Sequence, residues 1–573
     1  MPVFFNGRLI VSPATASVIN DSALDPQNTS VGNTVALVGR SAGGKPKTVL
    51  RYGSPQEAAR ELISGELYDA VRASFDPSTE TGGPQTVVVV RVDNALQSTG
   101  VLKDSGGNNV VNLTSTNYGI RENNIQYKVE SGSLSGLRIT TKRGNDYYTK
   151  DNIERRAFSL HYVGSEATAT VTVTASTVVL SAPAGTVVQT IDLTQFPVIV
   201  DLVDRLNMVP DFEASVLDLS YNSKALNGLD FVTAQDVKSA AYTVKGDLQA
   251  AIDWLNGPTQ DFVRAERVQG AGKPPAPFDW KFMTGGTDGL TTFNDWSKSF
   301  EVLQTADVQW VSPVSGDDAI HALADAHAAY MSDVALRERR VICGMPLNTT
   351  DLQAIDAAKR LNSARTSLAH LGHYNYDPLG KLTLYPPYIT AALIAGAFSG
   401  VNPGTSLTNK AIKVRGLERE LRNPTDTDVL INGGVLCVEK TSDGIYKVVK
   451  SISTWLNSRN FNKVEQSTGV ALDYTARRVR EALDVLRGAK GGPISLQRAV
   501  SITESALREL SKPEPQGPGV LVGDAQSPAY RNITASLAGD VLNVQFECSP
   551  AIPINYVLVS IFAVPYSGAA AAS

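Results

Sequence analysis

Residues 384–456 read LYPPYITAALIAGAFSGVNPGTSLTNKAIKVRGLERELRNPTDTDVLINGGVLCVEKTSDGIYKVVKSISTWL. Pro386 and Pro387 suit the first turn of a helix. Ala391, Ala392, Leu393, Ile394, Ala395, Gly396 and Ala397 follow. A helix apolar on every side is buried, and small side chains let neighbouring backbones come close. Gly400 and Pro403 end it. Further on, Gly433 and Gly434 precede Val435, Leu436, Cys437 and Val438, which predict a short buried strand. Gly444 then turns the chain back through Tyr446, Val448 and Val449, so this segment reads as a hairpin.

Outside this stretch, the composition sets bounds. The chain has 573 residues, enough for roughly three to four domains. Hydrophobic residues make up 42% and charged residues 19%, with a formal net charge of −5. Nucleic-acid binders carry a basic face, and no Lys/Arg run suggests one. Cys343, Cys437 and Cys548 lie far apart in apolar contexts, so buried reduced thiols are expected. The opening MPVFFNGRLIVSP lacks the pattern of a signal peptide. No apolar span reaches the ~18 residues of a membrane helix. These readings predict a chain made in the cytosol, with no membrane insertion.

Taken in order, residues 1–27 look extended, with Phe4, Arg8 and Val11 between turn formers. They are either a frayed tail or an arm adding a strand to a neighbour's sheet. Residues 34–39 (TVALVG) predict a buried strand. Ser54, Pro55 and Glu57 predict a capped helix start, and residues 86–92 a second buried strand, a βαβ unit. From 101 to about 182 the pattern turns to short alternating segments, the clearest over 167–174 (ATATVTVT). That predicts an inserted antiparallel β domain. Residues 233–255 read as one helix striped by Val237, Ala241, Val244, Leu248, Ile252 and Leu255. The α/β rhythm resumes at Gly285 and runs to the small-residue helix. Leu472, Val479, Leu483 and Leu486 mark a helix carrying Arg477, Arg478, Arg480 and Arg487, and a second helix spans about 495–510. Residues 542–548 and 554–564 alternate as two strands. The fold class expected is α/β: a doubly wound mixed sheet core split by an inserted mostly-β domain, plus an α+β C-terminal domain and extended terminal arms.

Candidate chemistry is thin. Gly39, Ser41 and Gly43 match G-x-S-x-G, but no helix follows at once to hold Ser41 in a strained turn. Gly39, Gly44 and Lys45 approach a P-loop, but Pro46 stands where the Mg²⁺-binding hydroxyl belongs. A glycine-rich turn is the better reading of both. His370 and His373 read as packed or solvent-facing rather than as zinc ligands. Asp426 and Asp428 lack the spacing of a calcium loop. Asp317 and Asp318 suit a helix N-terminus. No catalytic, cofactor-binding or metal-binding residue is assigned. The arginine helix is either a salt-bridged solvated face or a contact surface.

The helix after Tyr385, Pro386 and Pro387, the Asn-Pro-Gly-Thr-Ser segment at 402–406, and Asn432, Gly433, Gly434 and Val435 before a hairpin ending in Trp455 together resemble the tail sheath proteins of contractile bacteriophages. The segment 285–289 (GGTDG) and the paired strands at the end fit the same pattern. The resemblance spans roughly residues 28–95 and 195–566. It implies a structural, non-enzymatic subunit without cofactors, which stacks as hexameric rings around a tail tube and contracts to drive the tube through a host envelope. The implied layout is an N-terminal arm (1–27), a sheath core (28–95 and 281–406), an inserted β domain (96–194), a mixed inserted region (195–280), a C-terminal α+β domain (407–550) and a terminal strand (551–573). The implied partners are further copies of the chain, the tube protein, and baseplate and tail terminator proteins, with no nucleic acid bound directly. The chain would reside in the virion tail after assembly in the host cytoplasm. The implied arm strands carry Phe4, Arg8, Val11, Tyr556, Leu558 and Phe562. The expected acceptor hairpin carries Val435, Leu436, Val438, Tyr446 and Val448, and Arg477, Arg478, Arg480 and Arg487 are the expected tube contact. Two alternatives remain: the sheath of a non-phage contractile injection machine, and a hydrolase or NTPase built on the Gly39–Lys45 loop.

Overall fold

The computed structural model describes residues 3–5, 8–10, 33–196, 198–219, 228–563 and 565–566. It is a mixed α/β chain with several separate sheets. Two compact units emerge: residues 1–36, 73–87 and 307–573 form one, and residues 37–72 and 88–306 the other.

In the first unit the strands Trp310–Pro313, Arg340–Gly344 and Thr366–Ala369 lie parallel and adjacent. Every residue of the three is buried, as strands covered on both faces must be. The helix Pro387–Gly400 crosses them. Its composition explains its position. A Cβ on Gly344 would sit 2.3 Å from the Pro387 carbonyl oxygen, and one on Gly396 would sit 2.2 Å from that of Ser74. A Cβ on Gly400 would meet the Thr81 and Gly82 carbonyls at 2.5 Å. The Ser74 hydroxyl donates to the Ala392 carbonyl at 2.9 Å, and Phe398 stacks on Trp310 with centroids 4.3 Å apart. The helix is apolar all round because backbone meets it on several sides.

The second unit holds Val49–Tyr52, half of Thr34–Gly39 and the larger part of Thr86–Arg91, strands that adjoin in one sheet. Ser54 caps the helix Pro55–Leu62 by accepting from the Glu57 N–H at 3.2 Å, and the Glu57 carboxylate accepts from Gly53 N–H, one residue before the cap. Arg91 is fully buried and bonds Asp93 at 2.9 Å and the Gly44 carbonyl at 3.1 Å. Beyond it, antiparallel sheets dominate. One runs Asp146–Ile153, Leu137–Arg143, Gln126–Ser131, Phe278–Phe282, and another runs Val187–Asp192, Thr177–Ser181, Thr170–Val173, Val232–Asp236. The alternation at 167–174 thus yields a strand over Thr170–Val173 with a neighbour on each side.

The single helix expected over 233–255 is not formed. Val232–Asp236 pairs with Thr170–Val173, Tyr242–Lys245 pairs with Arg156–Tyr162, and only Asp247–Leu255 is helical. Val237 and Val244 are buried in a β-rich core rather than along a helix stripe. Partners distant in sequence outweighed a local 3.6-residue spacing, and the β-branched and aromatic residues of 232–244 suit a pleated surface.

Candidate assembly interface

Three elements at the C-terminal end build one surface. The helices Gln466–Leu483 and Pro493–Leu510 pack through Ala471, Tyr474, Val479, Leu507 and Leu510. The hairpin of Tyr530–Ala538 with Val541–Cys548 lies against them through Ile533, Phe546 and Cys548. It forms a two-stranded sheet of its own, long enough to leave rows of ladder groups for a further strand. Between hairpin and helices runs a groove of about 920 Å³, lined by Val479, Leu483, Leu542, Val544 and Phe546 among others.

The chain then continues without regular secondary structure over 551–563. The strand expected at 554–564 is therefore not formed in the single chain, and residue 564 lies outside the described residues. Among the described residues the segment has no facing strand to complete its ladder. Ile554, Tyr556, Val557, Leu558, Val559, Ile561 and Phe562 are all exposed, Leu558 at 94% and Phe562 at 90%. So continuous an apolar run in water marks an interaction site. Its root is fixed. Ala551 N–H donates to the Val520 carbonyl at 2.9 Å, and the Asn555 amide donates to Glu465 Oε1 at 2.8 Å. Burial pushes the Glu465 carboxyl above its ordinary value. The Lys450 ammonium sits 5.5 Å from the Tyr556 ring centroid.

At the N-terminus, Phe4 and Arg8 lie in a short hairpin, Val3–Phe5 against Arg8–Ile10. Val11 lies outside the described residues.

The expected acceptor hairpin is smaller than its sequence suggested. Its strands are only Val438–Lys440 and Tyr446–Val448. Val435 precedes them, and Leu436 is drawn to Leu368 by a 2.9 Å backbone bond. The outer edge of Tyr446–Val448 is occupied, since Ile412 N–H donates to Tyr446 and Val448 N–H to Lys410. An edge already paired cannot accept another strand, so the acceptor role does not fit Tyr446 and Val448.

The arginines are also differently placed. Arg477 is buried and grips Asp307 with two bonds of 3.0 Å. Arg480 bonds Glu338 and the Leu336 carbonyl. These two hold the helix to its own unit. Arg478 pairs with Glu481 on the helix surface, and Arg487, beyond the end of the helix, pairs with Asp484.

The remaining candidates are structural. The Ser41 hydroxyl is buried and donates to the Gly43 carbonyl at 2.7 Å, and the next helix starts only at Pro55. His370 Nε2 meets Asp351 at 2.7 Å, and His373 Nδ1 meets the Thr390 hydroxyl at 2.8 Å. Among the described residues no group of His, Cys, Asp and Glu is placed to hold a metal. Asp317 caps the helix Asp318–Asp333, and Asp426 is held down to about 2 by Arg422. Cys343 and Cys437 are buried, and burial pushes the Cys437 thiol up to about 12. Cys548 is only half-buried, in the groove-side strand. No helix among the described residues is long and apolar enough to cross a membrane.

Comparison with known proteins bears on this surface. No family model matches the chain. The tail sheath protein of Bacillus phage SP01 is 30% identical over 585 aligned residues, covering 99% of this chain and 98% of the relative. The chain belongs to the phage tail sheath proteins. A putative tail sheath protein of Enterococcus phage phiEF24C is 28% identical over 97% of this sheath chain and 98% of its own length. The fold is shared with the crystal structure of a sheath tail protein from Listeria innocua, with a TM-score of 0.54 at 14% identity, covering 90% of this chain and 92% of that one. A sheath tail protein from Desulfitobacterium hafniense gives 0.51 at 12%, covering 95% and 100%. The long apolar tail and the open hairpin therefore sit in a protein of a family named for building a sheath.

Proposed function

We propose that this chain is the repeating subunit of a contractile tail sheath, polymerised as stacked hexameric rings around a tail tube and linked by donated terminal strands. Its work is mechanical: subunits rotate and repack, the sheath shortens, and the tube is driven through the host envelope. Besides its own copies, the tube, baseplate and tail terminator proteins are the partners in this reading. It needs no nucleotide and no catalytic residue, in keeping with a Gly39–Lys45 loop whose serine hydroxyl is engaged by backbone. The core segments 28–95 and 281–406 face the axis and the inserted regions lie outside.

The observation that carries the reading is the run of seven exposed apolar side chains from Ile554 to Phe562 beside a two-stranded hairpin with free edges. A strand added to a sheet edge gains main-chain hydrogen bonds and buries alternate side chains. In this reading the acceptor is the hairpin of Tyr530–Ala538 and Val541–Cys548, with the groove beside it taking the inward side chains, and the donor tail comes from a second copy. The test is negative-stain microscopy of the purified chain beside variants lacking residues 1–20 or 551–573. Hollow striated tubes from the full chain, reduced to monomers or single rings by either deletion, support the reading. A full chain that stays monomeric at high concentration overturns it.

A further inference from the structure

The second unit contains a cleft of about 880 Å³ that strand donation does not use. It lies between the end of the helix Pro55–Leu62, the loop at 116–121, the turn at 144–147 and residues 261–262. Its size falls in the range of small-ligand sites.

Four polar residues of its lining are exposed to solvent and unpaired within the protein. Arg60, Arg121, Asn145 and Asp146 all face the cleft, and none of their side chains makes a hydrogen bond or ion pair among the described residues. Tyr147 stands beside them, 69% exposed. The residues around them are hydrogen-bonded to the protein. Asn117 donates to the Glu61 carbonyl at 2.7 Å and accepts from Gly44 N–H at 2.7 Å. Arg143 bonds buried Glu122 at 2.8 Å, and Tyr148 donates to Asp261 at 3.0 Å. Ile63, which lines the same cleft, sits at φ +69°. That conformation is an outlier for a β-branched residue, and strain of this kind collects at binding sites.

The chemistry of the free groups selects a ligand class. A purely anionic ligand meets Asp146 and Asp261, and a cationic one meets Arg60 and Arg121. A ligand with many hydroxyls, each both donor and acceptor, satisfies guanidinium, amide and carboxylate together. The Tyr147 ring offers an apolar face for the C–H side of a sugar. We infer that this cleft binds a neutral saccharide. No residue of the terminal segments lines the cleft, so the inference holds or fails independently of sheath assembly.

The experiment is saturation-transfer NMR on the full chain with three probes, chitotetraose, maltotetraose and cellotetraose, with poly-glutamate as an acidic control. Wild type should transfer to at least one saccharide. Arg121→Gln and Tyr147→Ala should each weaken that binding about tenfold, the size expected for one charged hydrogen bond or one platform, with unchanged thermal melting. Both residues are at the surface, so the variants should fold. Transfer to none of the saccharides, transfer unaffected by both substitutions, or binding of poly-glutamate alone would each overturn the inference.

Discussion

Gly396 shows how much of this chain is set by single atoms. The missing side chain leaves room for the Ser74 carbonyl, which a Cβ would approach to 2.2 Å. Backbone on both sides cannot yield as a flexible side chain would. Gly396→Ala should therefore cost about 1–3 kcal/mol despite its better helix propensity, read as a fall in the thermal midpoint. His373 makes a second prediction. It is buried against Thr390, and burial lowers it to about 4 from an ordinary value near 6.5. The folded chain keeps the ring neutral while the unfolded chain takes up a proton. This contribution is complete above pH 6.5 and is lost as pH falls from 6.5 to 4, on the order of 3 kcal/mol in all. The stability advantage of wild type over His373→Gln should shrink across that window, measured by urea unfolding at pH 8, 6 and 4.5. Glu465 has the reverse sense. Its raised carboxyl is tolerated below the ordinary carboxylate range and costs stability as pH rises through it. Glu465→Gln, which keeps an oxygen for Asn555, should melt higher than wild type at pH 8 and lose that gain near pH 4.

At the scale of elements, the helix Gln466–Leu483 is fastened by a charged face. Arg340 and Arg365 both bond Asp473, Arg477 bonds Asp307, and Arg480 bonds Glu338. Gly469 makes room for this, since its Cβ would fall 2.1 Å from an Arg340 guanidinium nitrogen. Asp473→Asn removes the carboxylate shared by two arginines, one of them buried, and should cost about 3 kcal/mol. Asp484→Asn breaks an exposed pair with Arg487 and should change the midpoint little. This pairing was only partly legible. Sequence shows charge on a helix but not which charges find acids on other elements. The small-residue helix was legible for the opposite reason, because close backbone approach leaves its mark in composition. The hairpin at 435–449 was legible as a hairpin, but not the occupation of its edge by residues 409–412. The alternation of Leu542, Val544, Phe546 and Cys548 announced a strand. Its partner Tyr530–Ala538 (YRNITASLA) mixes apolar and polar residues and carried no comparable signal.

For the whole molecule, an exposed apolar tail with a fixed root is a costly feature in a monomer and a useful one in a polymer. A single pairing of one tail with one hairpin, repeated from copy to copy, would hold subunits together while they shift. The family was legible because its patterns accumulate along the chain; the alternation at 554–564 was legible as a strand, but the single chain offers it no facing strand among the described residues. The most direct measurement places a photo-crosslinking residue at Leu558 in polymers grown from mixed ¹⁴N- and ¹⁵N-labelled chains. Mixed-isotope crosslinks from 558 to peptides spanning 530–548 are the predicted result. Crosslinks confined to the same chain, at its own segment around 450–465, would contradict strand donation between subunits.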